Sequence, residues 1–204
     1  MKIGEVNFRQ IHRKFVVLKD DRIKKQLEDV EFPLESDSIL TWCYYDSQCG
    51  ITFEFICPFN SKSKKSFEIA DKDFAFKFRK GGMSDTEMEI ISHENLKLSS
   101  ETLNYIKSIL EIYESDEELN ETRRLAYIDH LRNESYFDDI RVLLYRQGFK
   151  PEVVWLRLTK LKDDNLIGKL LNQPLNDLGV SIDDKIVVGF YQDEDKILRA
   201  VCVL

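Results

Sequence analysis

The fold turns on residues 153–190, VVWLRLTKLKDDNLIGKLLNQPLNDLGVSIDDKIVVGF. Val154, Leu156 and Leu158 alternate with Trp155 and Arg157, which is the period of a strand with one face on a core. KDDN then reads as a turn, LIGKLL as a second strand and KIVVGFY as a third. After the acidic turn QDED, ILRAVCVL makes a fourth. Four short strands predict a small sheet or partly closed barrel. Within the same stretch Trp155, Arg157, Asn172, Asp177 and Asp184 are the candidate partner-binding residues.

Upstream, SYFDDIRVLLYRQGFKPE fits two periods. Phe137, Ile140 and Leu144 suit a helix, whereas Ile140, Val142 and Leu144 suit a strand, and the strand reading is preferred for 136–147. From Ser99 the period is 3.6: Leu103, Ile106, Leu110 and Tyr113 share a face behind a capping serine. A second helix is expected over SDEELNETRRLAYIDHLRN, with Ser115 and Glu118 spaced as a capping box. Before residue 92 the pattern is mostly period two, in KFVVLK, SILTWCYYD, GITFEFIC, KSFEIAD, DFAFKFR and TEMEIIS. SQCG reads as a hairpin loop, and DDRIKKQLEDV as a short helix with Ile23 and Leu27 on one face. The expected architecture is α+β: an antiparallel β-rich region over 1–98, a helical segment over 99–135 and a small β domain over 136–204.

The 204 residues carry 30 Lys and Arg against 37 Asp and Glu, a net charge of −7. The acidic excess lies in the second half, which disfavours phosphate backbones and favours basic partners there. No segment has the ~18 uninterrupted apolar residues of a membrane helix, and MKIGEVNFRQIHRKFVVLK has no signal-peptide core, so a cytoplasmic protein is expected. Cys43, Cys49, Cys57 and Cys202 are then read as reduced thiols buried as small hydrophobes.

Motifs for chemistry are sparse. There is no CxxC or HxxxH knuckle for zinc, no GxSxG elbow, no HExxH and no glycine-rich phosphate turn, so no cofactor or metal is assigned. Lys62, Lys64, Lys65, Lys72, Lys77, Arg79 and Lys80 interleave with Phe67, Phe74, Phe76 and Phe78, which is the composition of a single-stranded nucleic-acid platform. Phe74, Phe76 and Phe78 at i, i+2 spacing equally make the core face of one strand, and that reading is preferred.

DDIRVLL, GFKPEVVWLRL and GKLLNQPLNDLGVSIDDKI, with RRLAYIDHLR before them, resemble a bacterial family of small uncharacterised proteins, a domain of unknown function. That family's pattern is DDxxVLL, GLxPExVWVR and GxLLNEPxxDFGxxxGDxI, and the resemblance covers residues 123–190. It implies a fold and a bacterial origin but no activity. Two departures matter: Gln173 stands where the family has Glu, removing a carboxylate, and Asp183 stands where it has Gly, at a turn needing left-handed backbone.

Structural roles are open to each candidate. Asn172 suits a hydrogen bond to local backbone where the chain leaves its strand, Leu178, Val180 and Ile182 suit a plug for the small sheet, and Asp184 suits a turn. Trp155 and Arg157 share the face opposite the core and carry the side chains that dominate interface hot spots. The leading expectation is a nonenzymatic protein-interaction or regulatory module, an immunity role being compatible with it. The alternatives are an enzyme using convergent Asp, Glu or His side chains, and nucleic-acid binding through residues 62–80.

Overall fold

The computed structural model describes residues 1–27, 30–69 and 75–204. Two compact units divide the chain, Met1–Glu114 and Ser115–Leu204. The helical middle expected over 99–135 is split between them.

The first unit is built on a curled antiparallel sheet. Its elements are α1 (Phe8–Ile11), β1 (Lys14–Lys19), α2 (Asp21–Gln26), β2 (Ser38–Asp46), β3 (Gly50–Asn60), β4 (Lys65–Ser66), β5 (Lys77–Arg79), β6 (Glu87–Ile91) and α3 (Ser100–Ile112). The strands run in the order β4-β3-β2-β1-β6, with β5 also on β3. SQCG is the hairpin between β2 and β3, where Asp46 Oδ1 accepts from the Gln48 and Cys49 backbone N–H groups at 2.8 and 3.1 Å. β2 is buried at every position and β3 at all but Asn60, so neither shows the alternation of a one-sided strand. That explains the near-continuous apolar runs in ITFEFICPF and SILTWCYY. Ser99 caps α3 as expected, its Oγ accepting from Thr102 N at 3.2 Å. Ile106 and Ile109 pack with Phe15, Trp42 and Tyr44 in one core cluster.

Three sequence expectations change here. Among the described residues, KSFEIAD keeps only the two-residue strand β4 and DFAFKFR only β5. Of the phenylalanine face, Phe78 is buried and Phe76 meets Phe55 edge-on, while Phe74 and Lys72 lie outside the described residues. Cys43, Cys57 and Cys202 are buried free thiols, but Cys49 is exposed because it occupies the turn of the β2–β3 hairpin. No helix among the described residues is long and apolar enough to cross a membrane.

The second unit contains α4 (Glu117–Arg124), a 3-10 turn at Ala126–Leu131, and β7 (Asp139–Tyr145), β8 (Glu152–Lys162), β9 (Asn165–Leu170), β10 (Lys185–Gln192) and β11 (Leu198–Val203). The five strands close into a barrel in the order β10-β11-β7-β8-β9. Its pairs are antiparallel except β11 on β7, which is parallel. The ambiguous stretch is therefore a strand, and as the fifth it converts the partly closed sheet into a closed barrel. Val142, Leu144, Val154, Leu156, Leu158, Leu166, Val188 and Ala200 fill the interior. The KDDN hairpin puts Asp163 at φ 48° and Asp164 at φ 62°, the left-handed pair a two-residue turn demands. Asp183 has φ 73°, as expected of a side chain standing at a glycine-type turn.

Three local readings are corrected. Asp116 caps α4 rather than Ser115, accepting from Leu119 N at 2.7 Å, because Ser115 Oγ is engaged with Asn120 Oδ1 at 2.7 Å. The second helix stops at Arg124, well short of 133. Leu178 is buried and Val180 half-buried, but Ile182 is 51% exposed, since the turn closed by Asp184 swings it outward.

Two predictions test these elements. A Cβ on Gly168 in β9 would lie 2.5 Å from the Arg157 carbonyl oxygen and 2.7 Å from Leu156 Cγ. Gly168→Ala should therefore lower unfolding stability by about 1–3 kcal/mol in denaturant melts; an unchanged midpoint would show that β8 can withdraw freely. Asp37 accepts from Ser61 N (2.7 Å), Ser61 Oγ (2.8 Å) and Ser38 Oγ (2.9 Å), tying the start of β2 to the end of β3. Burial pushes its carboxyl up, but these donors and Lys19 outweigh burial and hold it down at about 2. A depressed carboxyl stabilises above its unfolded value and loses that stabilisation as pH falls from about 4 towards 2. Asp37→Asn should flatten the acid limb of stability against pH and cost about 1–2 kcal/mol at pH 7.

Candidate functional site

Trp155 and Arg157 leave β8 on the outer side of the barrel, both half-buried. The Trp155 N–H donates to Asn172 Oδ1 at 2.8 Å, and Leu171 N donates to the Trp155 carbonyl at 2.9 Å. Asn172 thus reaches a strand 17 residues away instead of its local backbone. Arg157 forms a two-pronged pair with Asp139 of β7, Nε to Oδ1 at 2.7 Å and Nη2 to Oδ2 at 2.9 Å. Asp177 Oδ1 accepts from Gly179 N at 3.2 Å, and Asp184 Oδ2 from Ser181 N at 2.8 Å. Their side chains close their own turns. Gln173 uses both ends of its amide, accepting from Ile182 N at 3.1 Å and donating to the Val180 carbonyl at 3.5 Å. The five candidates therefore resolve into a Trp155–Asn172 junction, an Arg157–Asp139 pair and two separate turns.

A surface that the candidate set overlooked lies around Trp155. Val201 of β11 stands opposite Leu143 of β7, which stands opposite Val153 of β8. In the next rows Val203 faces Tyr145, and Arg141 faces Trp155. These are the outward positions, since Val142, Leu144, Val154, Ala200 and Cys202 between them are buried. Val153 is 64% exposed and Val203 73% exposed. A 230 Å³ hollow opens on this face, with Leu143, Val153 and Tyr191 in its walls and Arg141 and Arg199 beside them. A second hollow of 510 Å³ adjoins Trp155, with Asp129, His130, Arg132, Glu134 and Arg141 around it. The sequence signal for the apolar face is present in VLLY, EVVWL and AVCV. Each is apolar at both parities, so a strand with one face in the barrel carries the other face apolar into solvent.

Buried polar groups elsewhere bear on the enzyme reading. Glu54, 1% exposed, accepts from Tyr44 Oη at 3.0 Å and Tyr105 Oη at 2.7 Å, with Lys77 Nζ at 4.0 Å. Burial, followed by the Glu54 carboxylate, pushes the Tyr44 phenol up; burial and the hydrogen bond to Glu54 do the same for Tyr105. Both stay protonated donors, the reverse of an activated tyrosine base. Burial likewise pushes the Cys43 and Cys202 thiols up, away from the thiolate a nucleophile needs. His130 Nε2 lies 2.8 Å from the Leu198 carbonyl, and His93 stacks on Phe15. Among the described residues no three His, Cys, Asp or Glu side chains are grouped to hold a metal ion.

No protein-family model, curated protein or solved structure matches the chain. The resemblance over 123–190 accordingly rests on its motifs alone.

The Arg157–Asp139 pair permits a direct check. Burial pushes the Asp139 carboxyl up, against the pull of Arg157. Removing the cation would leave that carboxylate without its partner in a partly desolvated place. Arg157→Ala should cost about 2–3 kcal/mol, and a cycle with Asp139→Asn should recover most of it. Additive losses would mean that the pair contributes no coupling.

Proposed function

We propose that the chain is a protein-interaction module and that the barrel makes the contact through its outer β11-β7-β8 face. The observation that carries this is the unbroken apolar row Val201–Leu143–Val153, flanked by Tyr145, Val203 and Trp155. Apolar burial is the driving term in association, and an aromatic at the edge of such a row supplies the anchor. A closed barrel already has a full core, so this second apolar surface has no part in filling it.

The partner favoured by the chemistry is a folded protein with an apolar patch and a carboxylate at its margin. Arg141 is the cation placed to meet that carboxylate: it is exposed and donates only to the His130 carbonyl, at 3.3 Å, among the described residues. Arg157 and Arg199 already face Asp139 and Asp193, at 2.7 and 2.8 Å. This departs from the expectation of a basic partner drawn from overall charge, because the contact face is apolar and its Arg141 guanidinium has no carboxylate partner among the described residues. Nucleic-acid binding through 62–80 gains less support. Phe78 is buried, Lys80 is buried with Nζ donating to the Val6 carbonyl at 2.9 Å, and Arg79 pairs with Asp46 at 3.5 Å.

The test uses Val153→Asp and Val203→Asp, both at exposed positions. Affinity capture from native extract with wild type and each variant, followed by reconstitution with the purified partner, should show at least a tenfold loss of affinity, about 1.4 kcal/mol. Arg141→Glu should weaken the same complex, more so at low salt. An identical partner profile from all variants would refute the assignment. Concentration-dependent dimers of the pure chain that Val153→Asp abolishes would replace the proposed partner with a second copy.

A further inference from the structure

A cavity of about 520 Å³ opens in the first unit where the start of β1, the end of β6 and the first turns of α3 converge. Phe15, Trp42, Leu103 and Ile106 line it. Phe15 and Trp42 meet edge to face at 4.9 Å, giving the lining a fixed aromatic corner. Arg13, Lys14 and His93 belong to the same lining, and His93 stacks on Phe15 at 5.9 Å.

Three features distinguish this cavity from a packing gap. Arg13 and Lys14 are exposed and form no ion pair among the described residues, so two adjacent cations border an apolar hollow without a counter-charge. Arg13 is held at φ 57° by its N–H donating to the Cys43 carbonyl at 2.8 Å, a left-handed backbone that arginine adopts at a cost. Finally, Trp42 Nε1 is buried without a hydrogen-bond partner among the described residues. A buried donor left this way is unusual in a native interior.

We infer that this cavity binds a small amphipathic carboxylate, its apolar chain or ring between Trp42, Phe15 and α3 and its anionic head at Arg13 and Lys14. The volume falls in the range of small-molecule sites, and an apolar lining with a few polar groups at one side is their usual composition. The site is independent of the barrel face, since every lining residue belongs to the first unit.

Trp42 and Trp155 are the two tryptophans of the chain, so Trp155→Phe leaves Trp42 as the sole indole reporter. Decanoate titrated into that variant below its micelle concentration, and 2-naphthoate in parallel, should give a saturable change in Trp42 fluorescence for at least one of the two. The uncharged counterpart, decanol or 2-naphthol, should bind about tenfold more weakly, and Arg13→Glu/Lys14→Glu should weaken the carboxylate by a similar factor. Far-UV circular dichroism and the thermal midpoint establish that the charge-reversed protein is folded. Loss of the fluorescence change on charge reversal, with the fold intact, supports the site. No saturable response to either carboxylate would overturn the proposal, and so would equal affinity for the alcohols or a response indifferent to charge reversal.

Discussion

The barrel depends on two neighbouring aspartates, Asp138 in the turn before β7 and Asp139 at the first position of that strand. Asp138 takes Arg123 of α4 in a two-pronged pair, at 2.9 and 2.7 Å, and Asp139 takes Arg157 of β8. One carboxylate stands in the turn and the other on the strand, so the two divide their work. One anchors the helix and the other the neighbouring strand. Arg132, itself buried, adds donors at 2.5 Å to the carbonyls of Phe137 and Thr122. Charges this deep are costly unless matched and hydrogen-bonded throughout, and here Asp138, Asp139 and Arg132 are each answered. Such a network favours one register over its neighbours, because a slip of β7 by one residue would take Asp139 away from its place opposite Arg157. That register is what brings Leu143 beside Val153 and Val201.

Much of this was legible in the linear pattern. The strand at 139–145 follows from Ile140, Val142 and Leu144, and the cap at Ser99 from its place before a 3.6-period run, while the left-handed Asp183 was expected only through the resemblance, which places Gly there. What failed did so for identifiable reasons. Ser115 and Asp116 are both good caps, and which one serves depended on Asn120 reaching back to Ser115, a tertiary choice within one turn. Ile182 continues the alternation of Leu178 and Val180 in sequence, but turns do not conserve strand parity. KSFEIAD and DFAFKFR have strand composition yet form only short strands among the described residues, since composition does not determine how much of a segment finds a partner edge.

The candidate site was legible in a narrower sense. Trp155 and Arg157 were singled out for facing away from the core, and they do. Their neighbours on that face come from β7 and β11, strands separated from β8 by a hairpin and by 35 or more residues of chain, and the parallel β11–β7 pairing carried no local sequence signal. The clue was the double parity of VLLY, EVVWL and AVCV. In β2 and β3 the same kind of run means burial on both faces, whereas in the barrel it means one buried and one exposed face. Identical patterns thus take opposite meanings from topology alone.

Closure is what makes the exposed version tolerable. An open sheet with apolar strands on its solvent side presents unpaired N–H and C=O groups at its edges, and these invite addition of further strands. In the barrel each strand has two partners, β10 pairing with both β9 and β11, so the backbone offers no such template. Contact through this surface is therefore made by side chains, and its specificity resides in the Val201–Leu143–Val153 row, Trp155 and the uncommitted Arg141. A barrel with a filled interior can present an apolar patch outward because its stability and its recognition are assigned to opposite sides of the same strands.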